Sequence, residues 1–223
     1  MDFRNQRLLF SEAAQEARIL LIGAGAINSF VALGLAKMGC KNIEIWDGDT
    51  IEPHNIANQM FPLSFVGKNK AEAVAEMCSM FSDVKVTAIP MFFESFKNNK
   101  HFNVVVIGVD SMKARRELFD SLEGTSYQTQ YIDARMGGQF FRVFSVDGSL
   151  DEMAKYKKTL HTDEQASPER CGQKSIIYTV FGVASQVCNY VRRAAEGLET
   201  TKEENFDYNV PAVMSEEVAQ LAD

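Results

Sequence analysis

The sequence predicts an α/β fold, doubly wound, with a mostly parallel sheet. Three observations predict it. Apolar runs of strand length alternate with segments of helical periodicity through the first 134 residues. One run, Val-Val-Val-Ile-Gly-Val at 104–109, is almost continuously apolar, as in a parallel strand covered on both faces. The run Ile19-Leu20-Leu21-Ile22 passes straight into Gly23-Ala24-Gly25, the order of a buried strand, a tight turn and a helix.

Taken in order, residues 1–17 are expected as a short N-terminal helix with Leu8, Leu9 and Phe10 on one side. A strand at 18–22 leads into a helix at 26–38, apolar at Ile27, Phe30, Val31, Leu33, Leu35 and Met38, with Gly39 at its C-terminal cap. A second strand, 42–46, ends in Asp47-Gly48-Asp49 and a long polar loop. A helix at 69–81 and strands at 84–90 and 104–110 follow, then a helix at 111–122 and a strand at 130–134. The pattern then changes. Residues 139–146 alternate in part and end at the turn signal Asp147-Gly148, which predicts an antiparallel extension of the sheet. Residues 147–174 read as a polar, crossover-like loop around one short helical piece. A strong C-terminal helix at 176–193 sets Ile177, Val180, Phe181, Ala184, Val187, Cys188 and Val191 on one face. The expected organisation is one Rossmann-like domain over 1–195, then an acidic tail, 196–223, in which 206–210 adds a strand.

Composition bounds the function. Apolar residues make up 46% of 223, enough for a sizeable core, and the net charge of −7 argues against a nucleic-acid surface. Apolar runs fall far short of the roughly 18 residues that span a bilayer. The first residues carry acids and no apolar core segment, so neither a signal peptide nor a membrane role is expected. Cys40, Cys78, Cys171 and Cys188 form no C-x-x-C pair, and a chain with this much core needs no disulfide framework; the expected compartment is the reducing cytoplasm.

The glycine turn suits a phosphate, because backbone N–H groups and a helix N-terminus converge there. As a G-x-G-x-x-G pattern it keeps Gly23 and Gly25 but carries Asn28 at the third position. Asp47, 24 residues after Gly23, has the spacing of an acid that binds a ribose hydroxyl, or is simply a turn residue. Lys70 opens a helix, where the dipole disfavours a cation unless an anion lies nearby; it is a candidate phosphate ligand, or a solvated helix end. Asp110 ends an apolar strand at the edge where open α/β sheets bind ligands. Beside a triphosphate it calls for a bridging cation and suggests Mg²⁺; the plain alternative is the N-cap of the following helix.

These segments together resemble a known family. RILLIGAGAINS, IEIWDGDTIEPHNIANQMF, GKNKAEAVAE and VVIGVDSMKARRELFD occur in the order found in the ThiF/MoeB and ubiquitin-activating-enzyme superfamily, and Asp133–Gly137, Tyr156–Leu160 and Cys171-Gly-Gln-Lys174-Ser175 resemble a bacterial or phage ThiF-like branch of it. The resemblance covers about 15–146 and extends more loosely through the helix near 175–195. It implies ATP-dependent adenylation of the C-terminal carboxylate of a ubiquitin-like or sulfur-carrier protein ending in Gly-Gly. Attack of the carboxylate on the α-phosphate, with loss of pyrophosphate, needs no base, so catalysis is positioning and charge neutralisation. By the same resemblance Gly23 and Gly25 shape the turn and Asp47 binds ribose. Asp49, Asn55 and Gln59 lie over the nucleotide, Lys70 binds phosphate, and Asp110 binds Mg²⁺ and positions ATP. Family members of this size act as homodimers, so a dimer is expected.

Departures from the pattern raise further expectations. Ala26 and Asn28 replace glycines, and Asn58 replaces an arginine that commonly reaches a phosphate. Losing one such donor lowers a rate by about 10²–10³, so Arg4, Arg7 or Arg115 substitutes, or activity is weak, or the chain is a nucleotide-binding scaffold. A nicotinamide-dependent oxidoreductase would use the turn and Asp47 but leaves Lys70, Asp110 and the Asp-Gly-Asp loop without a task. Cys171, between Arg170 and Lys174 before the late helix, is a candidate acceptor of the activated acyl group; the alternative is a packed structural thiol. Arg135, beside Gly137-Gly138, meets a substrate carboxylate or forms an ordinary salt bridge, the second being preferred. His54, His101 and His161 are too scattered for a metal site.

Overall fold

A computed structural model describes residues 1–95, 101–121, 129–160, 175–210 and 212–215. Its elements in chain order are α1 (Glu12–Gln15), β1 (Arg18–Ile22), α2 (Ala26–Met38), β2 (Asn42–Trp46), α3 (Lys70–Phe81), β3 (Thr87–Ile89), β4 (Val104–Ile107), α4 (Met112–Ser121), β5 (Gln130–Gly137), β6 (Phe140–Asp147), α5 (Leu150–Lys157), α6 (Ile177–Ala195), β7 (Glu203–Asp207) and β8 (Ala212–Ser215). They form one eight-stranded sheet in the order β3-β2-β1-β4-β5-β6-β7-β8. The pairs from β3 through β5 are parallel and those from β5 to β8 antiparallel. This is the expected Rossmann-like sheet with an antiparallel extension.

The apolar strands are buried on both faces. In β1, Ile19 and Leu21 face α2, α3 and α6, packing with Val31, Leu35, Val74, Val183 and Val187. Leu20 and Ile22 face the other way, with Val105, Ile107, Leu118, Phe119 and Tyr156. Strand order reverses between β1 and β4, so a crevice opens at the carboxyl ends of those two strands, the usual ligand position in such sheets.

Two expectations about the termini need correction. Residues 1–17 are not one helix: turn bonds such as Leu9 N to Gln6 O (2.8 Å) occupy 3–10. Helix begins only after Ser11, whose Oγ accepts the Ala14 N–H at 3.1 Å. Leu8 and Leu9 are exposed, and of that trio only Phe10 is buried. Beyond residue 195, the strand expected at 206–210 lies instead at Glu203–Asp207, and a further strand, β8, pairs with it. Phe206 of β7 stacks on Phe141 of β6 at 5.2 Å, and Glu204 accepts from Gln186 and Tyr190 of α6. The β7 strand is acidic, yet its face toward α6 carries both Phe206, packed on the core, and the hydrogen-bonded Glu204. In α6 the buried face includes Thr179 and Tyr190, while Phe181 is 54% exposed and meets Phe30 edge-on.

Candidate functional site

The glycine turn is fixed by its neighbours. Gly23 has φ +86°, a left-handed conformation natural to glycine, and its N–H donates to Trp46 O at 2.8 Å. The Ala24 N–H donates to Asp47 Oδ2 at 2.6 Å, and the Asp49 N–H to Asp47 Oδ1 at 2.8 Å. Asp47 therefore ties the turn to the Asp-Gly-Asp loop. Burial pushes its carboxyl above the usual carboxylate range, although these two N–H groups and Lys70 pull the other way. Gly25 caps α2 without a side chain, leaving the first turn of that helix uncovered by its own cap residue.

Around the turn lies a cavity of about 760 Å³. Gly23, Gly25, Asp47, Asp49, Asn55, Gln59, Lys70 and Asp110 all line it, so the segments singled out in the sequence converge at one place. The Lys70 Nζ donates to Asp49 Oδ2 at 2.9 Å and its side chain is only 12% exposed; it is not a solvated helix end. Asn69, the N-cap of α3, holds the carbonyls of Asp47 and Asp49 and so sets Lys70 over the loop. The helix after β4 is capped by Ser111, whose Oγ accepts the Ala114 N–H at 3.1 Å. The alternative role of Asp110 as that cap is thus taken. Asp110 is exposed to the cavity, and its carboxylate has no hydrogen bond or ion pair among the described residues.

Asn55 is buried and locks the 3₁₀ turn Pro53–Asn55 through a reciprocal capping box with Glu52. Gln59 Oε1 and Asn58 Oδ1 are buried without hydrogen-bond partners among the described residues. Asn58 Nδ2 donates to Ser175 Oγ at 2.7 Å, joining the loop over the cavity to the residues that enter α6.

The cations proposed to replace an arginine at 58 are not in the cavity. Arg4 pairs with Asp2, and neither it nor Arg7 lines the site. Arg115 is buried and committed, donating to Asp133 Oδ1 at 2.8 Å and to Ala134 O at 3.1 Å. Arg135 completes the same cluster, at 2.6 Å from Asp133 and bonded to Thr159 and Tyr156, so it is a salt-bridge residue. Burial alone would push Asp133 up, but the two guanidiniums hold its carboxyl below the usual range.

Sequence reasoning missed this cluster, because nothing in the spacing of Arg115 and Asp133 reveals a pairing between α4 and β5. It also missed the cavity's aromatic wall, Trp46, Phe92 and Phe93, with Phe93 edge-on to Trp46 at 5.3 Å. A tryptophan directly before Asp47 was the available signal. Cys171, Arg170, Lys174 and His161 lie outside the described residues. Cys40, Cys78 and Cys188 are packed thiols that burial pushes up to about 12. Among the described residues no group of three or more potential ligands could hold a metal, and no helix is long and apolar enough to cross a membrane.

The sheet order, the glycine turn and the carboxylates at neighbouring strand ends define an α/β protein with a Rossmann-like, nucleotide-binding type of fold. More particularly, the chain belongs to the ThiF family, whose model matches residues 3–219. It is 37% identical over 109 residues to the NEDD8-activating enzyme E1 catalytic subunit of Caenorhabditis elegans, covering 47% of this chain and 25% of that protein. It is 32% identical over 110 residues to the SUMO-activating enzyme subunit 2 of Dictyostelium discoideum, covering 47% of this chain and 17% of that protein. The chain thus spans a quarter or less of the length of these relatives. In fold it is similar to a solved structure of E. coli MccB with ATP and to one of PaaA. The TM-scores are 0.71 and 0.72, with 16% identity in each case, over 94% of this chain and 66% of the other.

Proposed function

We propose that this chain adenylates the terminal carboxylate of a ubiquitin-like or sulfur-carrier protein, or of a peptide, at the expense of ATP. The observation that carries the reading is the convergence of Gly23–Gly25, Asp47, Lys70 and Asp110, from four separate segments, on one cavity. Along the carboxyl edge of the sheet the order is Phe92 and Phe93 after β3, Trp46 and Asp47 at β2, the turn at β1, and Asp110 at β4. A nucleotide has the same order: base, ribose, phosphates. Neighbouring strands stand about 4.8 Å apart, the scale of one nucleotide moiety.

In this reading the turn and the α2 N-terminus receive phosphate oxygens, and Lys70 is drawn from Asp49 toward them. A carboxylate oxygen of the substrate forms the new bond to the α-phosphorus, and the bond to the bridging oxygen of pyrophosphate breaks. Both electron pairs are already in place, so no proton moves and no side chain acts as base. Asp110 fits a divalent cation, because its carboxylate is uncommitted among the described residues. Among the described residues no cage of three ligands surrounds it, so Asp110 would hold the ion only together with a bound polyphosphate. Bound there, Mg²⁺ would neutralise charge on the phosphates. Cys171 is proposed as a later acyl acceptor, and a cytoplasmic homodimer as the working form.

The test is ATP–pyrophosphate exchange with the purified chain and candidate proteins ending in Gly-Gly, or peptides with free carboxyl ends. Wild type should exchange in the presence of the right partner. Lys70→Ala and Asp110→Asn should each abolish exchange, whereas Cys171→Ala should spare it and block only a subsequent transfer. One observation favours a second reading, a nucleotide-binding scaffold: among the described residues no arginine lines the cavity, and Asn58 is bound to Ser175. Tight ATP binding without exchange, across all partners tried, would establish the scaffold instead.

A further inference from the structure

Asn28 occupies the third glycine position of the turn motif, where small size ordinarily lets the helix approach the strand closely. The asparagine is nevertheless fully buried. Its Nδ2 donates to Ile22 O at 3.0 Å and to Gly23 O at 2.9 Å. The room it needs comes from the neighbouring strand: a Cβ on Gly108 would lie 2.6 Å from Nδ2. Gly23 also packs on this residue, since a Cβ on Gly23 would lie 3.1 Å from Gly108 O. Three segments therefore meet at one amide: the end of β1, the first turn of α2, and the chain leaving β4 two residues before Asp110.

The contact fixes one peptide plane in particular. The carbonyl of the Gly23–Ala24 peptide is held by Asn28, and its N–H is held by Asp47 at 2.6 Å. A peptide held at both ends cannot rotate, so the turn keeps a single set of N–H directions. Asn28 itself does not line the cavity and would act only through the residues of the turn that do.

We propose that Asn28 is a positioning residue for phosphate binding: braced against Gly108, it fixes the Gly23–Gly25 turn and the spacing from that turn to Asp110. The inference rests on the nucleotide reading of the cavity. Its selective signature is that phosphate contacts suffer when Asn28 is lost, while nucleoside contacts at Asp47, Trp46 and Phe93 do not.

The experiment uses Trp46, the single tryptophan of the chain, which lines the cavity and should report occupancy by its fluorescence. ATP with Mg²⁺ and, separately, adenosine are titrated into the full chain and into Asn28→Gly. The expected result is an ATP Kd raised about tenfold, as for loss of one or two hydrogen bonds, with the adenosine Kd changed less than about twofold. Gly108→Ala, which leaves the asparagine in place but crowds it off the turn, should give the same phosphate-selective loss, and it decides the matter if Asn28→Gly does not fold. Equal weakening of ATP and adenosine in the folded variants, or unchanged ATP affinity, overturns the positioning role while leaving the nucleotide reading intact. Wild type that binds neither ligand overturns both.

Discussion

At the scale of single residues, the most consequential choice is which charges are committed to the fold and which are left for a ligand. Arg115, Arg135 and Asp133 are committed. They are buried together, with the Tyr156 hydroxyl donating to Asp133 at 2.6 Å. Such a pair is not itself a large source of stability, but removing one partner strands the others in a medium that cannot solvate them. Asp133→Asn should therefore cost about 3–5 kcal/mol in urea-induced unfolding at neutral pH. The pH dependence has a definite sign. The Asp133 carboxyl lies below its ordinary 3.8 in the fold, so its contribution is present above pH 3.8 and is lost as pH falls through the lower folded value. The stability gap between wild type and variant should accordingly narrow below pH 3.8. A gap of constant size across that range would show that Asp133 does not titrate with the fold. Asp110 and Lys70 have the opposite character: one has no partner among the described residues, and the other is held in the cavity by a single exposed carboxylate.

At the scale of elements, caps and glycines decide where the side chains of the site point. Ser111 caps α4, and that assignment releases Asp110. Ser111→Ala should lower stability by about 1 kcal/mol, measured by thermal unfolding, and should weaken ATP binding, because an uncapped helix start makes Asp110 the nearest side chain able to cap it. If ATP affinity is unchanged while stability falls, the cap and the ligand function of Asp110 are independent. The same scale explains what was legible in the sequence. The parallel core was legible because each strand is a short, nearly continuous apolar run and each helix a periodic one; β1, α2, β2, α3 and β4 follow directly from that pattern. The site was legible for a related reason: strand ends and helix starts are punctuated by Gly23, Asp47, Lys70 and Asp110, and parallel topology puts all those points at one edge. The termini were only partly legible. Leu8 and Leu9 looked like a helix face, but Ser11 is a stronger start signal than the preceding apolar residues. The β7 strand was legible through Phe206, but its start was not: Glu203 and Glu204 read as solvated tail, whereas Glu204 is anchored by its bonds to α6 and the strand runs Glu203–Asp207 rather than 206–210. Pairings between distant segments, such as Asn58 with Ser175, leave no local trace at all.

At the scale of the whole molecule, electrostatics sets a condition on any nucleotide that enters. The chain carries −7, and among the described residues the cavity itself is lined by Asp47, Asp49, Glu52, Glu94, Asp110 and Glu117 against a single lysine, Lys70, with the exposed His54 beside them. Lys70 is moreover already paired with Asp49. A polyphosphate approaching this edge of the sheet meets like charge, and the α2 N-terminus with one lysine supplies at most a partial counter-field. The missing arginine at position 58 makes the imbalance larger than in the pattern the sequence resembles. Binding of ATP should therefore depend on a divalent cation much more steeply than in a site rich in arginine. The prediction is that chelating divalent ions lowers ATP affinity by at least about tenfold, equivalent to roughly 1.4 kcal/mol, as read by Trp46 fluorescence, while adenosine binding is unaffected because it carries no charge to neutralise. Asp110→Asn should shrink that cation dependence, since it removes the uncommitted carboxylate proposed to hold the ion. If ATP binds equally well with and without divalent ions, the acidic lining is tolerated by some other cation, and a basic residue outside the described segments or from a second chain becomes the next candidate to replace in turn.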